Sequence, residues 1–280
     1  GDAVWVEDPG SPRARGVLTA ADAQIIPVPL DDEGLNVQAG LLRHPGARMV
    51  YVTPSHQYPL GTQMSWARRH ALLEWATRTG AWILEDDYGT ESRASDPPMV
   101  ALQGLDQAGC VIYFGTFSQV LFPALSLGYL IVPPGLVDAF IAARILTDRC
   151  PPLFGQVVLA DFIAEGHLES HIRHVRSLYE ARRTALVESL DQELGGYLDV
   201  RSDEGGLHLV VWLPPGADDA ALSRRIAEFD IEAPPLSFYA LDPLQRGGFV
   251  LGYAAVDEQT IQIGVQRMRN VLDPVAAPAL

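Results

Sequence analysis

Residues 85–89 read EDDYG, and Glu85, Asp86 and Asp87 close an apolar run, AWILEDD, with the composition of a buried strand. Carboxylates at a strand end can hold a protonated ring nitrogen, ligate a metal or cap the following turn, and an isolated acidic triplet favours capping or solvation. Tyr88 adds a phenol beside them. A second candidate stretch, GTFSQVLFPALSLGYL, spans residues 115–130 and offers the small hydroxyls of Thr116 and Ser118 after another apolar run. Gln119 follows, and its amide nitrogen is neither a nucleophile nor a base, because its lone pair is delocalised. His167, His171 and His174 recur at i, i+4 and i+7, which is one face of a helix. No cysteine or HExxH pattern accompanies them, so a solvated or domain-facing surface is favoured over a metal centre. The signatures GxSxG, GxxxxGK and GxGxxG do not occur.

The elements that must position these residues alternate in type. Apolar runs at 3–9, 23–30, 48–54, 81–87, 111–117 and 128–134 read as strands buried on both faces, as in a parallel sheet covered by helices. SWARRHALLEWATRTG has helical spacing, with Gly80 as its C-terminal cap. Strand, helix, strand at this spacing predicts an α/β fold, a mostly parallel sheet flanked by helices, over residues 1–164. Helical patterns then dominate, and strands mixed with helices predict a smaller α+β domain over 165–280, with a frayed tail, DPVAAPAL. The polar clusters TPSHQ, EDDYG and GTFSQ fall at the carboxyl ends of strands, where open parallel sheets gather ligands.

Composition excludes several classes. The formal charge of −15 and pI near 4.7 oppose nucleic-acid binding by this chain alone. No run is long enough for a membrane span and no signal segment opens the chain, which predicts a cytoplasmic protein. Cys110 and Cys150 read as reduced core thiols. All 20 residues counted as Lys plus Arg are arginines, so the chain has no lysine.

In order, YVTPSHQYPLG, ALLEWATRTGAWILEDDYGTESR, ALQGL, VIYFGTFSQVLFPALSLGYLIVPPGLVDAF and ADFIAEGHLESH resemble consecutive blocks of the aminotransferase-like domain of MocR-type regulators, a branch of the GntR transcription factors. The resemblance implies the fold of fold-type I pyridoxal-phosphate enzymes. It implies that Asp86 pairs with the cofactor's pyridine nitrogen, that Tyr88 lies near the ring hydroxyl and that Thr116 and Ser118 lie near the phosphate. His56 or Gln57 would sit beside the ring. Arg13 matches one position of a substrate-carboxylate arginine, and Val250 stands where many relatives of the fold carry arginine. It further implies a helix-turn-helix domain, a linker and a phosphate-binding strand and helix preceding Gly1, with that strand at a sheet edge beside LGYLIVP.

The departures from the pattern carry more weight. Gln119 stands where the family has the lysine that bonds the cofactor aldehyde, and Ser126 where it has a phosphate-binding arginine. Ser11 replaces an aromatic residue and Gly89 an aspartate. The expectation is a non-catalytic domain for ligand sensing or dimerisation, a homodimer with a small-molecule effector. It would bind pyridoxal or pyridoxamine phosphate non-covalently at most. An active aminotransferase would need Gln119 to be an engineered change, an amine from elsewhere or a pyridoxal or pyridoxamine phosphate cofactor held non-covalently, and a DNA-binding role would need the helix-turn-helix.

Overall fold

The computed structural model describes residues 1–89, 100–148, 153–201 and 206–276. Strand β1 (Ala3–Asp8) is buried along its whole length, as a central strand of a covered sheet must be. α1 (Pro12–Ala20) follows, capped by Ser11, whose hydroxyl accepts the Ala14 N–H at 3.2 Å. Next come β2 (Gln24–Asp31), the two-residue β3 (Gly34–Leu35), α2 (Val37–Arg43) and β4 (Met49–Val52). α3 (Trp66–Thr79) is capped by Ser65 at its start and ends at Gly80, whose φ of 70° is the left-handed conformation that glycine adopts freely. β5 (Trp82–Asp87), α4 (Leu102–Leu105), β6 (Val111–Thr116) and β7 (Gly128–Ile131) complete a sheet of order β3-β2-β1-β4-β5-β6-β7.

β2, β1, β4, β5 and β6 pair in parallel, while β3 and β7 are antiparallel to their neighbours and form the two edges. All six strands read from the sequence form. β3, α1 and α2 escaped that reading, and α1 shows why: none of its residues is buried, so it has no apolar stripe to detect. The core under the sheet is built on Trp5 of β1 stacked against Trp75 of α3, ring centroids 4.1 Å apart, among Val28, Val50, Leu72 and Ile83. α2 lies against the same indole, where a Cβ on Gly40 would come within 3.0 Å of the Trp5 ring.

α5 (Val137–Asp148), α6 (Leu153–Ala164) and the 28-residue α7 (His167–Leu194) lead to β8 (Asp199–Arg201), β9 (His208–Trp212), α8 (Asp219–Ala227), β10 (Gly248–Gly252) and α9 (Glu258–Ala276). β10, β9 and β8 make an antiparallel sheet with its own core, in which Leu186, Leu190 and Leu194 of α7 meet Val211, Phe249, Val265 and Met268. The tail expected to fray from Asp273 is instead helical as far as Ala276, because the buried Val271 and Leu272 hold α9 in place just before it. Residues 277–280 and Cys150 lie outside the described residues, and Cys110 is a buried free thiol. Among the described residues no helix is long and apolar enough to cross a membrane.

Two sets of bonds fasten the second sheet's loops to the first. The Asp8 carboxylate accepts the N–H groups of Leu241 and Asp242 at 2.7 and 2.9 Å. Arg15 donates to the carbonyl oxygens of Tyr239 and Phe238 at 2.9 and 3.2 Å.

Candidate functional site

The strand period sorts the acidic triplet. Tyr51 of β4 pairs with Leu84 of β5, and Asp86 of β5 pairs with Phe114 of β6. Residues two apart, and residues paired across strands, share a face of the sheet. Tyr51, Leu84, Asp86 and Phe114 accordingly line a single cavity of about 880 Å³ at the carboxyl ends of the strands. Glu85 points the other way and accepts the N–H groups of Leu102 and Gln103 at 2.8 Å each, capping α4. Asp87 accepts the Tyr113 hydroxyl at 2.8 Å. One acid caps, one anchors a phenol, and Asp86 alone of the three faces the cavity.

The floor around Asp86 is rich in carboxyl groups. The Tyr51 hydroxyl donates to Asp86 Oδ2. Burial raises the Asp86 carboxyl above its ordinary value, the Tyr51 bond lowers it and the nearby Asp87 charge raises it. Burial, and then the Asp86 charge, drives the Tyr51 phenol up, so it stays a donor. Behind them Glu7 of β1 is 2 % exposed and is pushed up to about 7 by burial, against hydrogen bonds from Thr53 and Gln57. Thr53 Oγ1 donates to Glu7 Oε2 at 2.6 Å, and the Gln57 amide donates to it at 3.2 Å.

The walls are aromatic. Tyr58 is the hub, in edge contact with Tyr88 at 5.8 Å, His208 at 5.2 Å and Tyr239 at 5.5 Å between ring centroids. Burial lowers the His208 pKa. Its Nε2 lies 3.0 Å from the Pro59 carbonyl oxygen, which can only accept, so Nε2 carries the proton. Ser11, Arg13, Gln119, Glu232 and Phe238 also line the cavity.

Of the residues singled out from sequence, the cavity brings together Asp86, Tyr88, Gln119, Ser11 and Arg13. It does not include His56, which is 3 % exposed with its ring packed behind Tyr88 and His208. Gln57 is buried too, and donates to the Pro9 and Tyr58 carbonyl oxygens at 3.0 and 2.7 Å. Thr116 and Ser118 are not among the lining residues, and Thr116 Oγ1 accepts the Ser118 N–H at 3.2 Å. Ser126, at a left-handed φ of 50°, lines a separate cavity of about 600 Å³ with Arg144 and Asp148. Val250 is a buried core residue beside Leu236 and Tyr239. His167 pairs with Glu165 at 3.1 Å, His171 Nε2 lies 2.8 Å from the Val120 carbonyl oxygen and His174 is exposed, so the histidine face does not converge. Among the described residues no group of His, Cys, Asp or Glu could hold a metal ion.

Sequence reasoning missed Tyr51, Tyr58, His208 and Tyr239. Tyr51 was legible, since alternation in MVYV sets it opposite the buried Val50 and Val52. His208 and Tyr239 were not, because their partners Pro59 and Tyr58 are 149 and 181 residues away.

Pyridoxal phosphate, the cofactor of the fold's enzymes, presents a ring nitrogen, an aldehyde and a phosphate. Asp86 suits the first. Gln119 on the cavity wall offers no nucleophilic nitrogen to the second, and the hydroxyls that resemblance assigns to the third lie outside the lining. Among the described lining residues, Asp86 suits the ring nitrogen, none offers an amine to the aldehyde, and Arg13 is the one guanidinium that could face a phosphate.

The chain is 38% identical over 272 residues to a probable rhizopine catabolism regulatory protein, MocR, of Rhizobium meliloti, covering 96% of this chain and 54% of that protein. It is 37% identical over 268 residues to the HTH-type transcriptional regulator YdeL of Bacillus subtilis, covering 95% and 57%. The chain thus spans little more than half the length of these curated relatives. The crystal structure of a Pyrococcus horikoshii kynurenine aminotransferase superimposes with a TM-score of 0.90 at 32% identity, over 99% of this chain and 70% of that one. With residues 1–268 matching the family of class I and II aminotransferases, the chain belongs to that family.

Proposed function

We propose that the chain is a catalytically inactive aminotransferase-like domain of a MocR-type regulator, which senses a small molecule and pairs with a second copy rather than turning substrate over. The observation that carries this is Gln119 on the cavity wall of a chain without lysine. Arginine stays protonated and cannot take the part of a free amine. The loss of one positioned base costs about 10²–10⁴ in rate even before the covalent step is counted. Any cofactor-like ligand is held non-covalently, with Asp86 and Tyr88 as contacts; Thr116, Ser118 and His56 serve only if the cavity rearranges. The chain divides into two lobes near residue 165, and α7 packs on the second core through Tyr179, Leu186, Leu190 and Leu194. The charge of −15 leaves DNA contact to other parts of a regulator.

The alternative, a pyridoxal- or pyridoxamine-phosphate-dependent aminotransferase, draws support from the likeness to the Pyrococcus horikoshii enzyme. One experiment separates the two. The chain is incubated with pyridoxal 5′-phosphate, treated with borohydride and mapped by peptide mass. The expected result is no adduct on any cavity side chain and no amino-group transfer to a keto acid. An adduct within the cavity, or transfer above the rate of the free cofactor, sinks the proposal.

A further inference from the structure

A second cavity, of about 580 Å³, opens where the second lobe meets the first, and its volume is in the range that holds a small organic ligand. Its floor belongs to the core of the second lobe: Leu186 of α7, Leu251 of β10 and Ile261, Val265 and Met268 of α9 are all buried there. Tyr58, His208 and Tyr239 form the partition between the two cavities and line both. Small residues keep the second cavity open. Gly252, Ala254 and Ala255 line it on the chain leaving β10, and Gly264 lines it on α9. A Cβ placed on Gly264 meets nothing within 4 Å, although alanine or leucine there would suit a helix better.

Charge selects among occupants. The charged side chains in the described lining are Asp230 and Glu232, both exposed, and no arginine is among them. His208 adds no charge, since burial lowers its pKa and its Nε2 proton is given to the Pro59 carbonyl oxygen. Arg182 donates to the Ala254 carbonyl oxygen and acts on Asp257, but it is not a lining residue. Arg13 acts on Tyr239 as Glu232 does, and it lines the first cavity only. An apolar body gains by covering the floor, while a polar head stays at the rim. A carboxylate head there meets two like charges, and an ammonium meets two opposite ones.

We propose that this second cavity takes a primary amine with an apolar alkyl or aryl body, its ammonium beside Asp230 and Glu232 and its body against Leu251, Val265 and Met268. The site goes beyond the function proposed above and holds whether or not the first cavity turns substrate over.

The test is isothermal titration calorimetry at low ionic strength on the whole chain, with n-octylamine, n-octanol and n-octanoate as probes of one chain length. Octylamine is expected to bind at least about fivefold more tightly than octanoate, with octanol between them. Gly264→Leu fills the opening without changing charge. It is expected to weaken octylamine by about tenfold or more while the melting temperature holds or rises. Asp230→Asn keeps the left-handed backbone at φ 59°, which asparagine also adopts. That variant is expected to narrow the preference for octylamine over octanoate and to leave octanol unchanged. Octanoate binding as tightly as octylamine overturns the ligand class, as does a preference that Asp230→Asn leaves intact. No binding of octylamine overturns the site. So does binding that survives Gly264→Leu, which would reflect general attraction to a chain of charge −15. Should Gly264→Leu misfold, the probe ranking on the parent chain and on Asp230→Asn decides the proposal.

Discussion

Glu7 and Asp86 are one β-strand apart in the sheet order, yet burial acts on them to different ends. Asp86 opens onto the cavity, whereas Glu7 is sealed behind Thr53 and Gln57, and among the described residues no cation touches it. Its carboxyl rises from 4.5 to about 7, so the folded chain holds that proton more tightly than the unfolded chain does. The stabilising contribution of the protonated group is complete below pH 4.5 and is lost as pH rises to about 7. A separation of that width corresponds to roughly 3 kcal/mol. Glu85, raised to about 6, adds a loss of the same sign over a narrower window. Glu7→Gln, which mimics the protonated acid, is expected to flatten the decline. Denaturant titrations of parent and variant between about pH 5 and about pH 8 check this. An unchanged slope in the variant would remove Glu7 as its source.

At the scale of elements, α3 carries an unusual debt to a single side chain. Arg69 is fully buried, and its guanidinium donates to the carbonyl oxygens of Met64, Val100 and Pro54 at 3.1, 3.1 and 2.8 Å. It also lowers the pKa of Glu85, which caps α4. One residue thus holds the loop after β4, the approach to α4 and the strand end that presents Asp86. Arg69→Met keeps the volume but takes a donor from the Met64, Val100 and Pro54 carbonyls and the nearby positive charge from Glu85, and a loss of about 3 kcal/mol or more is expected in guanidinium unfolding. A loss under about 1 kcal/mol would show that water or neighbouring groups replace the guanidinium. Arg69 was invisible in the sequence for the same reason that α3 was visible. The helix announces itself through apolar spacing and Gly80, and an arginine in that pattern reads as solvated. Strands behave alike: β1, β4, β5 and β6 were legible as apolar runs, whereas Asp86 was singled out from Glu85 and Asp87 by the family resemblance, and its physical reason came with the pairing of β5 with β4 and β6. His208 and Tyr239, brought from a distant stretch of chain, had no local signal at all.

For the whole molecule the notable feature is a face without cover. Beyond β7, where Leu130 and Ile131 are exposed at the sheet edge, α5 presents Ile141, Ile145 and Leu146 and α6 presents Leu153, Phe154, Val157 and Val158 to solvent. Leu146 is 86% exposed and Phe154 84%. Exposed apolar residues scattered singly need no explanation, but a run over one strand and two successive helices marks an interaction surface. The homodimer proposed for this chain is expected to bury that face, giving a dimer in sedimentation velocity. Ile145→Asp combined with Phe154→Asp places two charges where apolar contact would be, and is expected to yield a monomer. Because both side chains are exposed in the single chain, the monomer's own fold should tolerate the change, and its circular dichroism should match the parent. Should the doubly substituted chain remain dimeric, the pairing uses another surface. Should the parent sediment as a monomer, the apolar face serves some other contact, and ligand sensing would have to work within one copy.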